Sequence, residues 1–383
     1  MAKVRLDYQH VKLGQPLPYN LFDEHGLIWL KHGYLLQSKS QLDRLIERGV
    51  FFEEIINDEP SHLATIKKIS VFTLVSELAV EFEGLFDKEV VDYKEVLHIS
   101  GRIQELCGLD GDASLANIQL HKAGRYSLRH SFHSAVMTEI LLRGLERPQD
   151  VRLYAVAGAL TMNISMLELQ DTLYRQNDPL TLDQKRTIVT HPQMAVQALR
   201  QQGIDHPVWL DVVENHHEMI DGTGYAKRLR ENDLSVESQA ASLADRYCSM
   251  VTERKYRAGI LPSVAAKTLL ERQPSTISRA LTAAFRRDIG SYPPGTLVLL
   301  ANAEVAIVVK RLLDSKHPLV RSLRSPSGIR YDDPPKRTTG NPIYAIKEAV
   351  RADTIKEFDW SSLWFPVQLD APGSEGADTH PAK

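Results

Sequence analysis

The residues best suited to chemistry lie in the stretch 215–225, which reads Asn-His-His-Glu-Met-Ile-Asp-Gly-Thr-Gly-Tyr. Two adjacent imidazoles, His216 and His217, follow a segment (208–213) whose apolar residues have helical spacing, so we expect the pair near the end of a helix. On its own, such a pair is also typical of solvated polar surface.

The turn that follows the histidine pair contains Asp221, Gly222, Gly224 and Tyr225. The two glycines permit positive φ or close approach of the backbone, so the chain leaves the helix in a tight loop. A tight loop beside two imidazoles suits a metal ion or a phosphate group.

Further candidate ligands are spread over other predicted helices. In an all-helical domain, metal ligands come singly from several helices and converge in the bundle. Each candidate alone is also typical of a helix cap or a surface group, but together they indicate a metal site. The candidates are His133, His191, His216, His217 and Asp245.

Composition limits the class of protein. A chain of 383 residues has room for two or three domains. Its net charge of −3 gives no field that would attract nucleic acid or an anionic membrane. No apolar run of about eighteen residues is present, so we expect a cytoplasmic protein. Cys107 and Cys248 form no CxxC pair and read as small buried groups.

The first two segments show no candidate chemistry. Residues 1–56 combine short strand candidates with a helix that opens at a capping Ser40 and closes at Gly49, which predicts a small α+β module. Residues 57–120 read as a helical connector. There Leu74, Leu78 and Phe82 share one face, which suits packing within the domain or, alternatively, a partner or homodimer seam.

Residues 121–288 predict an all-helical domain. One helix carries His133 near its start, and residues 153–160 form a central buried helix. Thr181 opens another helix with a capping box, and we expect that helix to end near His191-Pro192. Residues 238–245 form a helix that delivers Asp245 among apolar neighbours.

The pattern changes after the helical domain. Two β-branched runs in residues 289–330 predict a short β-hairpin extension, and residues 331–383 read as a weakly structured tail. The expected fold is therefore mainly α: a helical bundle domain with a small N-terminal α+β module and a short C-terminal β-hairpin extension.

The order of these segments resembles the HD-GYP family, bacterial hydrolases of the second messenger cyclic di-GMP. The resemblance runs from about His133 to Val309 and is specific in combination. Its motifs are His133-Ser134, Leu180-Thr181, His191-Pro192, the double-histidine stretch with its Gly-Tyr turn, Ala244-Asp245, Arg254-x-Tyr256-Arg257 and Tyr-Pro-Pro-Gly-Thr at 292–296.

The resemblance implies an HD-type helical fold that holds two or three iron or manganese ions, which activate water to attack a phosphodiester. It implies that His133 and Asp245 hold the first ion and that His191, His216 and His217 hold the second. It also implies that Arg254 and Tyr256 bind the ligand. The loop of Asp221, Gly222, Gly224 and Tyr225 is implied to be a docking surface for partner proteins.

The chain departs from the family where the His-Asp pair is expected. Met162 stands in place of the His, and a thioether is a poor ligand for these ions. Asn163 stands in place of the bridging Asp, so two dications would lose the anion that screens their repulsion. Met166 replaces a Lys expected to meet a phosphate. Three further family residues are replaced, by Ala226, Gln239 and Cys248.

These departures predict a degenerate HD-GYP protein of cyclic di-GMP signalling that acts as a regulatory or protein-interaction module, with no catalytic residue assigned. The three imidazoles of His191, His216 and His217 suit one divalent ion, iron or manganese; alternatively, the pocket is empty and they only form hydrogen bonds. The alternative is a phosphodiesterase that hydrolyses cyclic di-GMP or another phosphoester slowly with this reduced metal centre. A third option is a sensor that binds the nucleotide without cutting it, against which the loss of cationic contacts argues.

Overall fold

The computed structural model describes most of the chain. The described residues are 2–11, 17, 21–22, 28–30, 36, 39–54, 69–88, 91–253, 259–312, 317–351, 355, 358–364 and 366–367. The chain divides into two compact units, Met1–Lys67 and Lys68–Lys383.

The first unit combines a small antiparallel sheet with one helix. In the sheet, the strand order is β1-β4-β2-β3. Buried leucines, among them Leu21, Leu36 and Leu42, form its core. The predicted α+β module is therefore observed in the described residues. The elements are β1 (Ala2–Arg5), β2 (Leu21–Phe22), β3 (Ile28–Leu30), α1 (Lys39–Glu47) and β4 (Phe51–Glu54).

The second unit is built mainly from helices, as the sequence predicts. A short strand, β5 (Ile69–Ser70), precedes them. The helices are α2 (Val71–Leu85), α3 (Tyr93–Leu109), α4 (Gly111–Leu120), α5 (Tyr126–Gly144), α6 (Gln149–Thr161), α7 (Leu167–Arg175), α8 (Leu182–Gln201), α9 (Pro207–Asn215), α10 (Val236–Val251), α11 (Pro262–Lys267) and α12 (Arg279–Asp288).

The helices of the predicted connector share one hydrophobic core with the rest of the bundle. Leu74, Leu78 and Phe82 of α2 are all buried in that core. The amphipathic face of α2 therefore packs within its own unit, which was one of the two alternatives for it. Cys107 and Cys248 are buried as free thiols.

Close packing of α6 on α9 brings the expected His-Asp position next to the histidine pair. Gly158 of α6 makes this possible, because a Cβ there would lie 2.7 Å from the Cβ of Val212. The Trp209 indole of α9 also donates to the Thr161 hydroxyl at 2.7 Å. The last turn of α6 is thus fixed against the first two turns of α9.

Two helix boundaries differ from the sequence-based expectation. The helix that carries His133 begins seven residues earlier, at Tyr126, so His133 lies within it rather than near its start. Helix α8 does not end near His191-Pro192 but continues through Pro192 to Gln201. Pro192 has no N–H to donate to the Ile188 carbonyl, and the His191 side chain donates to that carbonyl instead.

The predicted hairpin is part of a larger sheet. Strands β6 (Leu297–Leu300) and β7 (Val305–Lys310) pair as expected and are joined by β8 (Leu319–Arg324), β9 (Lys336–Thr338) and β10 (Ile346–Ala349), in the order β10-β6-β7-β8-β9. A last strand, β11 (Pro366–Val367), pairs with β5.

The expectation of a weakly structured tail therefore fails for residues 336–349. The Arg337 guanidinium of β9 donates to both carboxylate oxygens of buried Glu304 at 3.0 Å, which ties β9 to the sheet. Strands this short and this exposed leave no periodic pattern that could predict them.

Among the described residues, no helix is long and apolar enough to cross a membrane.

Candidate metal centre

Three histidines converge at the meeting point of α8 and α9. His191 lies within α8, and His216 and His217 follow the last residue of α9. Each offers one ring nitrogen, and the three nitrogens lie within 4.8 Å of one another. His191 and His216 are buried and His217 is partly buried, so the cluster is set into the protein rather than on its surface.

The His191 ring is oriented by a consequence of Pro192. Because proline has no N–H, the Ile188 carbonyl lacks its usual partner four residues later in the helix. The Nδ1 of His191 lies 2.7 Å from that carbonyl oxygen and donates to it. This bond fixes the tautomer and leaves the lone pair on Nε2.

The His216 ring is held in the same way at a helix end. Carbonyls in the last turn of a helix lack intrahelical partners, and the Val213 oxygen accepts from Nδ1 of His216 at 2.9 Å. The lone pair of His216 is therefore also on Nε2.

The two Nε2 atoms of His191 and His216 face each other at 3.2 Å. Burial lowers the pKa of His191 to about 3, and the neighbouring His216 contributes in the same direction. Burial also lowers the pKa of His216. Both rings are thus neutral near pH 7, and two lone pairs point at one another. A cation between them would relieve that repulsion.

Asp245 of α10 supplies the negative charge beside the cluster. Its carboxylate lies 3.9 Å from Nδ1 of His217 and accepts from Nε2 of His130 at 2.7 Å. Burial raises the pKa of the Asp245 carboxyl, but the His130 hydrogen bond and the nearby imidazoles outweigh burial and hold the pKa well below its usual range. Asp245 is therefore an anion at this point of the bundle, as expected.

His133 does not lie beside Asp245. Its ring lines a separate cavity and contacts the ring of His121, with 6.1 Å between the ring centroids. His130, one turn earlier on α5, occupies the position beside Asp245 that the sequence analysis gave to His133. The His-x-x-His spacing is the sequence feature that could have pointed to His130. The expectation that the helix starts near His133 left His130 outside it.

A cleft of about 470 Å³ opens beside the cluster, and Asn163 and Met166 line it together with His217 and Asp245. The Asn163 side chain is buried, and neither its amide nitrogen nor its oxygen has a hydrogen-bond partner. Met162 is fully buried in the main core. The position of the family's His-Asp pair is thus occupied by one core residue and one unpartnered amide that faces the cleft.

The loop after the histidine pair is folded around Glu218. The Glu218 carboxylate is buried and accepts the backbone N–H groups of Lys227, Arg228 and Leu229 at 2.6, 3.1 and 3.0 Å. Gly224 leaves no room for a side chain, because a Cβ there would lie 2.5 Å from the Glu218 Cα.

The remaining loop residues have structural contacts. The Tyr225 ring stacks on His217, with 4.6 Å between centroids, so Tyr225 supports the cluster. Asp221 accepts from Thr223 and from the Ser275 hydroxyl, and Gly222 has a positive φ of 79°. The loop thus positions the second imidazole of the pair.

The other replaced positions lie away from the cleft lining. Gln239 borders a small cavity with Glu218 and Arg246. Cys248 is buried, and burial raises the pKa of its thiol. The expected ligand-binding residues Arg254 and Tyr256 lie outside the described residues.

The helical part of the chain is similar to a known protein family. Residues 115–281 match the HD domain family. The resemblance of the chain to the HD-GYP family is therefore confirmed.

Two relatives illustrate the match. The chain is 24% identical over 378 residues to a cyclic di-GMP phosphodiesterase of Pseudomonas aeruginosa, covering 89% of this chain and 88% of the relative. It is 22% identical over 198 residues to the cyclic di-GMP phosphodiesterase PdeB of Borreliella burgdorferi, covering 51% of each. A solved HDGYP-type protein of Bdellovibrio bacteriovorus has 15% identity and a TM-score of 0.47, covering 74% of this chain and 98% of the other.

The donor set of the three histidines fits a divalent ion. Three imidazole nitrogens within 4.8 Å of one another, with a carboxylate at hand, suit a borderline divalent ion. At residue 163 the cleft presents the neutral amide of Asn163 and no carboxylate. When bound, a single ion would supply Lewis acidity toward a phosphoryl oxygen.

Proposed function

We propose that this chain is a degenerate HD-GYP protein that acts in cyclic di-GMP signalling as a regulatory or protein-interaction module, with one divalent ion and impaired hydrolysis. Asn163 carries this proposal: its buried amide faces the cleft at the position where the family has a bridging carboxylate. Paired ions stabilise both the attacking and the leaving oxygen of an in-line displacement, and a single ion loses part of that stabilisation.

The charge of the cleft supports the same proposal. Among the described residues that line it, Asp178 and Asp245 are acidic and no Lys or Arg is present. The side chains of the cleft would therefore contribute little electrostatic attraction to a cyclic dinucleotide, which carries two phosphates. Met166 lines the cleft where the family is expected to present a Lys.

The loop after the histidine pair offers an exposed surface for a protein partner. Thr223, Ala226 and Arg228 of this loop are exposed, while Glu218 fixes its backbone. A rigid, exposed loop loses little conformational entropy on docking. We propose this loop as the partner surface.

The second candidate is a slow phosphodiesterase with the reduced metal centre. The intact set of His191, His216 and His217, with Asp245 beside it, favours this reading. In this case His191 and His216 hold the ion through Nε2, because their Nδ1 atoms are bonded to backbone carbonyls. Asp245 and His130 are then placed to hold a proton beside the cluster.

Hydrolysis of cyclic di-GMP by purified protein, supplied with iron(II) or manganese(II), separates the two candidates. The regulatory reading predicts no turnover above that of a His191→Gln, His216→Gln double variant. Turnover that this double variant abolishes, and that His98→Gln at an exposed position on α3 leaves unchanged, would establish the slow phosphodiesterase instead.

A further inference from the structure

A second cavity, of about 650 Å³, lies next to the histidine cleft, with Tyr174 as a shared wall. We call it the cationic cavity. It is bordered by the end of α4, by α5, by the end of α7 and by β6. Its polar lining includes His121, Lys122, Arg129, His133 and Arg175. Its volume is in the range of small-molecule sites, roughly 300–1,000 Å³.

The charges around the two cavities are opposite. Among the described residues, Lys122, Arg129, Arg175 and Arg351 line the cationic cavity and Glu253 is its single acid. The histidine cleft, by contrast, is lined by acids and by neither Lys nor Arg in the described part of the chain. The side chains around the cationic cavity therefore attract an anionic ligand more strongly than the side chains around the cleft do.

The Arg129 guanidinium is held rigidly at the wall. Its Nη1 donates to three backbone carbonyls, of Lys122, Ala123 and Gly124, at 2.8, 3.0 and 2.8 Å. These neutral acceptors orient the guanidinium without neutralising its charge. The Lys122 ammonium lies 4.0 Å from Glu253 and both side chains are largely exposed, so this ion pair is weak.

His133 supplies an independent sign of a ligand. The side chain is 4% exposed, lines the cavity, and its Nε2 is buried without a hydrogen-bond partner. A buried polar atom without a partner costs about 1–3 kcal/mol. Burial lowers the pKa of His133 well below its usual value, so the ring is neutral and can donate one N–H.

The lining is also partly apolar, which distinguishes an organic ligand from a simple ion. Ile118, Leu120, Ile260, Leu261 and Leu297 border the same space. A ligand that fills the cavity therefore needs an anionic group for the basic side chains and an apolar or aromatic part for these residues.

We propose that the cationic cavity binds an organic phosphate of nucleotide size, with a phosphate oxygen accepting from Nε2 of His133 and facing Arg129 and Arg175. This site is separate from the histidine cluster and does not depend on whether the chain hydrolyses cyclic di-GMP. The proposed phosphate contact gives a role to His133, which lies outside the histidine cluster.

Calorimetric titration of the full chain with GMP tests the proposal, with inorganic phosphate as a second probe. We expect GMP to bind, and Arg175→Glu at the exposed rim of the cavity to weaken binding about tenfold or more, the effect of one lost charge-assisted hydrogen bond. His133→Phe, which keeps the ring volume, should weaken it similarly. Arg200→Glu, an equal charge reversal on the exposed end of α8, should leave binding unchanged.

Three results would overturn the proposal. One is the absence of GMP binding at millimolar concentration. Another is inorganic phosphate binding as tightly as GMP, which would mean that the apolar lining contributes nothing. The third is binding that is lost in His191→Gln but kept in Arg175→Glu, which would place the nucleotide in the histidine cleft. Because Arg175 is exposed, its variant folds even if His133→Phe does not.

Discussion

Nε2 of His191 and Nε2 of His216 lie 3.2 Å apart, and the Nδ1 atom of each ring donates to a backbone carbonyl. Both backbone bonds arise from helix geometry: one from a proline inside α8, the other from the unpaired carbonyls at the end of α9. The two helices thus orient both Nε2 lone pairs toward one position that suits a cation, without needing a bound ion to do so. This arrangement occurs in a chain that has Asn163, rather than a carboxylate, in the adjoining cleft.

Pro192 gives the first test of this relationship. In Pro192→Ala the new N–H can bond to the Ile188 oxygen and compete with Nδ1 of His191. We expect the free energy of unfolding to rise by about 1–3 kcal/mol, because a proline inside a helix is costly. We expect manganese affinity to fall about tenfold, because the ring loses its orienting bond.

Denaturant unfolding and competition with a metal chelator measure the two effects of Pro192→Ala. Gln193→Ala, at the next and exposed position of α8, is the control and should change neither quantity. Higher stability with unchanged metal affinity would mean that the Ile188 contact does not orient His191.

Asp245 gives a second prediction. Asp245→Asn keeps an acceptor for His130 but removes the only charge that we place beside the cluster. We expect metal affinity to fall about 10–100-fold while the far-ultraviolet circular dichroism spectrum is retained. Asp205→Asn, at an exposed site shortly before α9, should bind metal normally. Equal affinity in the two variants would remove Asp245 from the site.

Asn163 gives the third prediction. Asn163→Asp places a carboxylate where a buried amide has no partner. Without metal, an unpaired buried carboxylate destabilises the fold by several kcal/mol, so the melting temperature of metal-free protein should fall. With manganese, a second ion should bind, and cyclic di-GMP hydrolysis should rise by about tenfold or more.

The control for Asn163→Asp is Asn177→Asp, which adds the same charge at an exposed position on the cleft rim. It should alter neither metal content nor hydrolysis. If Asn163→Asp binds no second ion, the missing carboxylate at residue 163 is not by itself what limits this centre, and the replacement of His by Met162 becomes the next explanation.

Sequence reasoning reached the helical fold and most of the site because both have strong local signatures. Three local patterns each specify the backbone conformation of a few residues: the adjacent histidines, the Gly-x-Gly turn, and Thr181 with its capping box. It assigns His133 rather than His130 to the position beside Asp245, because it places the start of the helix near His133, whereas α5 begins at Tyr126. The Tyr126 start lies in a stretch without a capping side-chain hydrogen bond.

The end of α8 and the C-terminal strands were missed for a related reason. Pro192 is a valid stop signal unless a side chain replaces the lost bond, and the His191–Ile188 contact exists only in three dimensions. Similarly, β9 is fixed by the pairing of Arg337 with Glu304, residues 33 positions apart. The periodicity of the local sequence predicts neither of these contacts.

Metal content per chain is the most direct test of the central claim that residue 163 limits this centre to one ion. Elemental analysis of purified protein, loaded with manganese(II) and freed of excess metal, should give about one ion per chain, falling to none in the His191→Gln, His216→Gln double variant. Two ions per chain in the natural sequence, located side by side by anomalous diffraction at Asp245 and the three histidines, would contradict it.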